Sequence, residues 1–151
     1  MYVLDTNIVS ELSPEKSAPN AAIVAWLRRN GTHCYLSAVT LTEIAYGIAR
    51  LRQRRALAKA RRLEAWLDEV VGFHAEHIIA VDADVALRAG VLLAVARAAG
   101  AEPDIEDAWI AASAQQRWMT VLTFNDAHFK PMGVTVINPR LALPLDAPPP
   151  A

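Results

Sequence analysis

The sequence is poor in the features that mark cross-linked, secreted or membrane-spanning proteins. Cys34 is the only cysteine, so no disulfide can form within the chain, as is usual in reducing compartments. The longest apolar stretch, residues 89–96, is bracketed by arginines and is much shorter than the roughly 20 residues that a membrane span needs. Met1 leads into an apolar segment without a basic leader, which predicts no secretory signal. We therefore expect a cytoplasmic protein that makes no membrane contact.

The charge balance gives no general attraction to nucleic acid. The 151 residues carry 15 Lys and Arg against 16 Asp and Glu, a formal net charge of −1, and 54% of them are hydrophobic, enough for one domain with a real core. Seven of the basic residues nevertheless cluster within thirteen positions: Arg50, Arg52, Arg54, Arg55, Lys59, Arg61 and Arg62. The ordinary interpretation of such a run is a solvated helix hairpin. In a chain of this charge, a local phosphate-binding surface is the alternative.

Short apolar strands alternate with helical patterns along the chain. The predicted strands cover residues 2–4, 33–37, 78–81, 120–123 and 134–137. The predicted helices cover residues 5–14, 19–30, 40–50, 57–71, 82–99 and 104–116. This alternation predicts an α/β domain with a central, mostly parallel sheet flanked by helices. We expect the domain to span residues 1–141 and the Pro-rich residues 142–151 to form a disordered tail.

Three acids lie at the edges of these elements, far apart in sequence. Asp5 follows the first strand, Glu43 is near the start of one helix, and Asp107 is in the first turn of another. Asn125 follows the fourth strand. In open parallel sheets, ligands bind outside the carboxyl ends of the strands, where the following helices also begin. The sequence therefore predicts one pocket lined by four segments of the chain.

Each of the first two acids also has a purely structural interpretation. Asp5 could cap the helix that follows it, because Asp is a favoured N-cap residue. Residues 40–43, with Thr at the first position and Glu43 at the last, match the pattern of a capping box. Gly47 favours a functional role, since a glycine inside a helix costs about 1 kcal/mol relative to alanine. It lies one turn beyond Glu43 on the same face, which indicates that something needs room there.

Asp107 is the strongest candidate, because it lies on the apolar stripe of its helix, where an acid needs a partner. The helix N-terminus favours its ionised form. Asp104, at the predicted N-cap, is expected to be structural, and Glu106 to be solvated. Asp126 could cap a turn or add a carboxylate to the pocket, and His128 is assigned no role.

A cluster of acids makes chemical sense around a hard divalent cation. Carboxylate and amide oxygens suit Mg²⁺, and Mn²⁺ as a substitute. The four histidines form no ligand cluster with Cys34, so zinc is not expected. Such a cation can activate water and neutralise charge on a phosphoryl group. An acidic metal site beside an arginine-rich stretch therefore favours a nuclease.

Four segments in register resemble the PIN-domain ribonucleases, and among them the VapC toxins of type II VapBC toxin–antitoxin systems, nearest to the FitB-like branch. The segments are VLDTNIVSEL at 3–12, LSAVTLTEIAYGI at 36–48, DAWIAASA at 107–114, and VLTFN at 121–125 followed by Phe129, Asn138 and Pro139. They occur in the order of that family and extend to about residue 141. The resemblance implies a PIN-like fold and a Mg²⁺-dependent endoribonuclease that cleaves cellular RNA, such as tRNA or ribosomal RNA.

The resemblance also assigns roles to individual residues. It implies that Asp5 and Asp107 bind Mg²⁺ and that Glu43 completes the acidic triad. The fourth position of the family, often Asp, falls on Asn125, which supplies no charge. The partners implied are a VapB-type antitoxin, a second copy of the chain in a homodimer, and operator DNA only through the antitoxin.

Other functions fit the same acids less well. A catalytically weak PIN-like module that binds RNA or protein is the main alternative, and the uncharged Asn125 is its support. A receiver-type signalling domain would need adjacent acids after the first strand. A haloacid-dehalogenase-like phosphotransferase would need an acid where Asn7 stands.

Overall fold

The computed structural model describes residues 1–146 and contains one parallel five-stranded sheet. The strands are β1 (Tyr2–Leu4), β2 (Cys34–Ser37), β3 (Ile78–Ile79), β4 (Thr120–Leu122) and β5 (Val136–Ile137). Their spatial order is β3-β2-β1-β4-β5, and all four pairings are parallel. The predicted α/β architecture is confirmed, although β3 and β5 are each two residues shorter than the sequence predicts.

Within residues 1–146, seven α-helices connect and flank the strands. They are α1 (Thr6–Val9), α2 (Ala21–Asn30), α3 (Ala38–Gln53), α4 (Leu57–Phe73), α5 (Ala83–Ala98), α6 (Ile105–Gln116) and α7 (Asp126–Phe129). Side-chain caps fix two of the helix starts that the sequence predicts. Asn20 accepts hydrogen bonds from two amides of α2, and Asp82 accepts one from the amide of Val85 in α5. Among residues 1–146, no helix is long and apolar enough to cross a membrane.

The strand order makes β1 the centre of the sheet. Leu4 is level with Leu36 of β2 on one side and with Leu122 of β4 on the other. The chain proceeds outward from β1 to β2 and β3, and then returns to build β4 and β5 on the opposite side. The point where the order reverses lies between the carboxyl ends of β1 and β4, which is where open α/β sheets bind ligands. This order also differs from the 2-1-3-4-5 order of receiver-type domains, so that alternative is excluded.

The sheet separates two hydrophobic clusters. One contains Val3 and Val121 together with the buried faces of α5 and α6. The other contains Leu4, Leu122 and Trp26 together with residues of α1, α2 and α4. Cys34 belongs to the second cluster, where burial raises the pKa of its thiol to about 12. It is an unreactive core residue, as the sequence indicates.

Helix α6 owes its position to small side chains. Six of its residues are fully buried: Ala108, Ile110, Ala111, Ala112, Ser113 and Ala114. Alanines allow the helix axis to approach both the sheet and α5 closely, and buried packing of this kind leaves a helix little freedom to shift. The first turn of α6 is therefore held at a fixed distance from the carboxyl edge of the sheet.

Part of the predicted tail packs against the domain. Pro144 is buried, and Asp146 accepts hydrogen bonds from Asn30 Nδ2 at 2.8 Å and Arg29 Nη2 at 3.4 Å. Asp146 thus contacts the end of α2 through its side chain. The remainder of the predicted tail, residues 147–151, lies outside the described residues.

Replacing Leu122 by alanine tests the packing beneath the site. Leu122 is 1% exposed, so the Leu122→Ala variant should lose about 2–5 kcal/mol of unfolding free energy in urea titrations. Leu87→Ala is the matched control, because Leu87 is 73% exposed and its loss should cost less than about 0.5 kcal/mol. Equal costs for the two variants would contradict the assignment of the core.

Candidate active site at the carboxyl edge of the sheet

Asp5 lies at the switch point between β1 and β4. It is the N-cap residue of α1 and is only 5% exposed. Its Oδ2 accepts a hydrogen bond from Thr123 Oγ1 at 2.6 Å and another from Asn7 Nδ2 at 2.6 Å. Two side chains from both sides of the switch point therefore fix this carboxylate. A residue that only caps a helix would not need these two side-chain hydrogen bonds.

The same hydrogen bonds continue along the edge of the sheet. Thr123 Oγ1 also accepts from the Asn7 side chain at 3.3 Å and from the backbone amide of Asn125 at 2.8 Å. Asn7 Oδ1 in turn accepts from the amide of Phe124 at 3.1 Å. Asn7 thus connects the start of α1 to the loop after β4. The Asn7 side chain donates through Nδ2 and accepts through Oδ1. An ionised acid at this position could accept but could not donate, so it could not form the same hydrogen bonds.

Glu43 takes part in the site and not in a capping box. Helix α3 begins at Ala38 with Ser37 as its N-cap, so the capping-box interpretation of residues 40–43 is wrong. Thr40 Oγ1 instead donates to the backbone carbonyl of Leu4 at 3.4 Å. Glu43, one turn into the helix, accepts a 2.5 Å hydrogen bond at Oε2 from Thr6 Oγ1. Thr6 follows Asp5 directly, so this bond anchors Glu43 beside the first acid.

Asp107 approaches from α6 and has two contacts of its own. Asp104 is the N-cap residue of α6, as predicted, and its backbone amide donates to Asp107 Oδ2 at 3.2 Å. His128 Nδ1 lies 2.9 Å from the same oxygen. The Asp107 side chain is 13% exposed, which leaves a limited opening toward solvent. His128, to which the sequence assigned no role, therefore positions a site carboxylate.

The acids act on one another electrostatically. Burial raises the pKa of Asp5 above its usual value, and the charge of Asp107 raises it further, against the lowering effect of the Thr123 hydrogen bond. Burial likewise raises the pKa of Glu43, and the charges of Asp5, Glu106 and Asp107 add to this effect. Glu106 is half-buried, and its charge acts on Glu43. Asp5, Glu43 and Asp107 therefore lie close enough for their charges to act on one another.

Asn125 and Asp126 differ in their relation to this cluster. Asn125 is exposed at the same edge, and only its backbone is tied to the network, through Thr123. Asp126 accepts a hydrogen bond from Asn138 at 3.0 Å and forms an ion pair with Lys130. The Lys130 and Asn138 contacts lower the pKa of Asp126. Asp126 is therefore engaged elsewhere and does not add a carboxylate to the acid cluster.

The carboxylates at this site suit a divalent cation that keeps several water ligands better than a cation bound by protein groups alone. In the part of the chain that is described, no group of three or more His, Cys, Asp and Glu side chains is arranged to hold a metal ion. Two carboxylates, Asp5 and Asp107, are coupled at the switch point, and neither Asp5 nor Glu43 forms an ion pair within residues 1–146. Mg²⁺ commonly takes one or two carboxylates and keeps several waters. The residues present therefore fit Mg²⁺ or Mn²⁺ and offer no softer ligand set.

The basic stretch is divided by ion pairs. Arg52 binds Glu64 through two hydrogen bonds of 2.6 and 2.7 Å, which clamp α3 to α4. Arg62 and Lys59 both pair with Glu15. Four basic residues of the stretch make no ion pair within residues 1–146: Arg50, Arg54, Arg55 and Arg61. The structure thus supports both interpretations, a braced helix hairpin and a remaining positive surface.

Five polar residues of the site had no role in the predictions from sequence: Thr6, Asn7, Thr123, Glu106 and His128. All of them lie within three residues of a predicted site residue. For Thr123 the available signal was a hydroxyl at the buried end of a strand, where it needs a partner. The polar residues that support this site are therefore close in sequence to the predicted site residues.

Residues 2–133 match the PIN domain, nearly the whole of the described chain. The chain belongs to the PIN-domain family. It is 34% identical over 142 residues to the VapC ribonuclease Y4jK of Sinorhizobium fredii, covering 92% of this chain and 97% of that protein. It is also 34% identical over 141 residues to the toxin FitB of Neisseria gonorrhoeae, covering 92% of this chain and 98% of FitB.

Solved structures agree with this assignment. The crystal structure of FitAcB from Neisseria gonorrhoeae aligns with 93% of this PIN domain chain at a TM-score of 0.80 and 34% identity, covering 99% of that chain. A DNA-bound VapBC structure from Salmonella typhimurium aligns with 90% of it at a TM-score of 0.67 and 25% identity, covering 96% of that chain. The PIN-like fold implied by the sequence motifs is therefore confirmed.

The raised pKa of Asp5 predicts a stability cost that depends on pH. Because the folded state disfavours the charged form, this cost is present above the folded-state pKa and disappears as the pH falls through it. In EDTA near neutral pH, Asp5→Asn should therefore raise Tm, because the substitution removes a charge that the folded state disfavours. The gain should shrink toward about pH 4. Thermal unfolding followed by circular dichroism measures both effects.

Asp126→Asn is the matched control for that experiment. The pKa of Asp126 is lowered by Lys130, so its charge stabilises the fold above the ordinary carboxyl pKa and its removal should lower Tm near neutral pH. An Asp5→Asn variant that is less stable than the wild type in EDTA at neutral pH would contradict the electrostatic description of the site.

Proposed function

We propose that this PIN domain is a Mg²⁺-dependent endoribonuclease and the toxin of a VapBC-type toxin–antitoxin system, with cellular RNA as its substrate. The observation that carries the proposal is the convergence of Asp5, Glu43 and Asp107 at the switch point of a PIN fold. Mutually repelling, partly buried carboxylates are costly without a cation. A bound cation would offset the repulsion between these carboxylates, as a site for metal-assisted phosphodiester hydrolysis requires.

Asp5 and Asp107 are the residues that would hold the cation. Mn²⁺ should replace Mg²⁺, because both take oxygen ligands. A bound cation of this kind polarises the scissile phosphate and neutralises the charge that develops on it. Thr123 and Asn7 keep the Asp5 carboxylate in place, and His128 and the Asp104 amide do the same for Asp107. Such supporting hydrogen bonds orient ligands and commonly affect affinity 10- to 100-fold, roughly.

Glu43 is placed to act as a general base. Its pKa is raised by burial and by the neighbouring acids, which makes the carboxylate a better proton acceptor near neutral pH. In this role Glu43 takes a proton from the attacking water while Thr6 holds its Oε2. Attack by water on the phosphorus leaves a 5′-phosphate and a 3′-hydroxyl. Asn125, exposed at the rim, would orient water or substrate through its amide.

The names of the relatives support the biological role. One is a VapC ribonuclease and another is the toxin FitB, and the solved relatives include a FitAB complex and a Salmonella typhimurium VapBC complex that are bound to DNA. We infer that this chain has a VapB-type antitoxin, forms a homodimer, and contacts operator DNA only through the antitoxin. The targets proposed are tRNA or ribosomal RNA.

Purified protein should cut tRNA or ribosomal RNA in Mg²⁺ or Mn²⁺ and leave 5′-phosphate ends. Asp5→Asn and Asp107→Asn should each lower the rate at least about 100-fold, because each removes a carboxylate from the cation site. EDTA should abolish cutting by the wild type. Gel analysis of the fragments and phosphatase sensitivity of their ends provide the measurements.

Asp126→Asn is the control variant, because this acid is paired with Lys130 and lies outside the acid cluster. Unchanged cleavage in Asp107→Asn would refute the assignment of the site. A folded, antitoxin-free protein that binds RNA but cuts none in either cation would instead favour the non-cutting PIN-like module, for which the uncharged Asn125 is the motivating observation.

A further inference from the structure

Helix α3 carries an exposed aromatic residue one turn beyond Glu43. Tyr46 is 64% exposed although it is large and apolar. The guanidinium of Arg50 lies 5.7 Å from the centroid of its ring, at a distance typical of cation–π contacts. Glu43, Tyr46 and Arg50 are spaced by three and four residues, so they share one face of the helix. The exposed Tyr46 ring and the Arg50 guanidinium therefore follow Glu43 along the same face of α3.

Gly47 keeps the space beside this ring empty. The sequence indicates that something needs room here, and apart from Gly47's chain neighbours and the adjacent backbone of α3, no described atom lies within 4 Å of the point where a Cβ would be. No close packing within the protein therefore requires a glycine, and its φ angle is not one that only glycine favours. The glycine nevertheless lowers the helix propensity of α3. The exposed surface at Gly47 therefore leaves room for a molecule outside the chain to lie against the helix.

The charge around this face is positive. Arg50 and Arg54 make no ion pair within residues 1–146, in contrast to Arg52, which is bound to Glu64 on the adjacent helix. A positive groove beside an exposed aromatic ring is the usual design for binding single-stranded nucleic acid, in which a base stacks on the ring and the backbone phosphate lies near the cation. Tyr and Arg also recur at protein interfaces, but here the ring and the cation begin one turn from Glu43, where the nucleotide beside a cleaved bond would lie.

We propose that Tyr46, Gly47 and Arg50 form a nucleotide subsite that binds a single-stranded RNA residue next to the cleaved bond. The base stacks on the free face of the Tyr46 ring and over the open surface at Gly47, and its phosphate contacts Arg50. The subsite rests on the proposed ribonuclease function, since it serves to place the adjoining phosphodiester over the acid cluster. Its residues bind the RNA and position it, and they take no part in the chemical step.

Binding can be measured without cutting in the Asp107→Asn background, by fluorescence anisotropy of a labelled single-stranded RNA of mixed sequence in Mg²⁺. Tyr46→Ala should weaken binding about tenfold, because the stacked base loses its platform. Tyr46→Phe keeps the ring and should stay within about twofold of the parent. In the cleaving protein, Tyr46→Ala should raise KM with a smaller change in kcat.

Gly47→Ala has a matched control in Gly90→Ala. Both glycines lie inside helices with nothing within 4 Å of an added Cβ, so both variants should raise Tm to a similar extent. Only Gly47→Ala should also weaken RNA binding, by several-fold. Trp118→Ala, which removes a 95% exposed ring elsewhere on the surface, should leave binding unchanged.

The outcomes separate this subsite from the nuclease itself. Unchanged RNA affinity in Tyr46→Ala, or equal effects of the two glycine variants, would overturn the subsite even if the wild type cleaves RNA, and a protein partner would then be the occupant of this face. A Tyr46 effect on binding in a protein that never cuts would retain nucleotide binding at Tyr46 and overturn the ribonuclease, and with it the placement of the subsite beside a cleaved bond. Absence of any RNA binding by the folded protein would overturn both.

Discussion

Parallel pairing of β1 with both β2 and β4 is the constraint on which the site depends. It makes β1 the central strand and places the reversal of strand order directly beside Asp5. The hydrogen bond from Thr123 Oγ1 to Asp5 Oδ2 then joins the two sides of the reversal, and Asn7 repeats the connection from α1. Helices α3 and α6 begin at the same edge of the sheet. Their first turns therefore place Glu43 and Asp107 near Asp5.

The resulting site is electrostatically unfavourable for the isolated protein. Burial and like charge raise the pKa values of Asp5 and Glu43, and the positive charges of the chain do not relieve them, since the arginines of α3 and α4 pair with other acids or face solvent. Rigid supports keep the acids together: the alanine-rich packing of α6 holds Asp107, and the Thr6 hydroxyl holds Glu43. Functional sites commonly retain such strain because the chemistry requires it.

The sequence predicts the architecture well because its apolar periodicity and its helix caps agree with the fold. Asp104 caps α6 as expected, and the charges of Asp5 and Asp107 act on Glu43 at the edge of the parallel sheet. Glu43 was ambiguous because residues 40–43 imitate a capping box, whereas the true start of α3 is set by Ser37. The contact between His128 and Asp107 could not be predicted, because it depends on how α7 docks against α6 and not on local pattern.

Direct measurement of Mn²⁺ binding tests the central claim that these carboxylates form a cation site. Electron paramagnetic resonance of free Mn²⁺ can be titrated with the wild type, Asp5→Asn and Asp107→Asn. If these carboxylates hold the cation, binding to the wild type should be saturable and both variants should weaken it by about tenfold or more. Equal binding in all three proteins, or no binding to a folded wild type, would contradict a cation site at the carboxyl edge of the sheet.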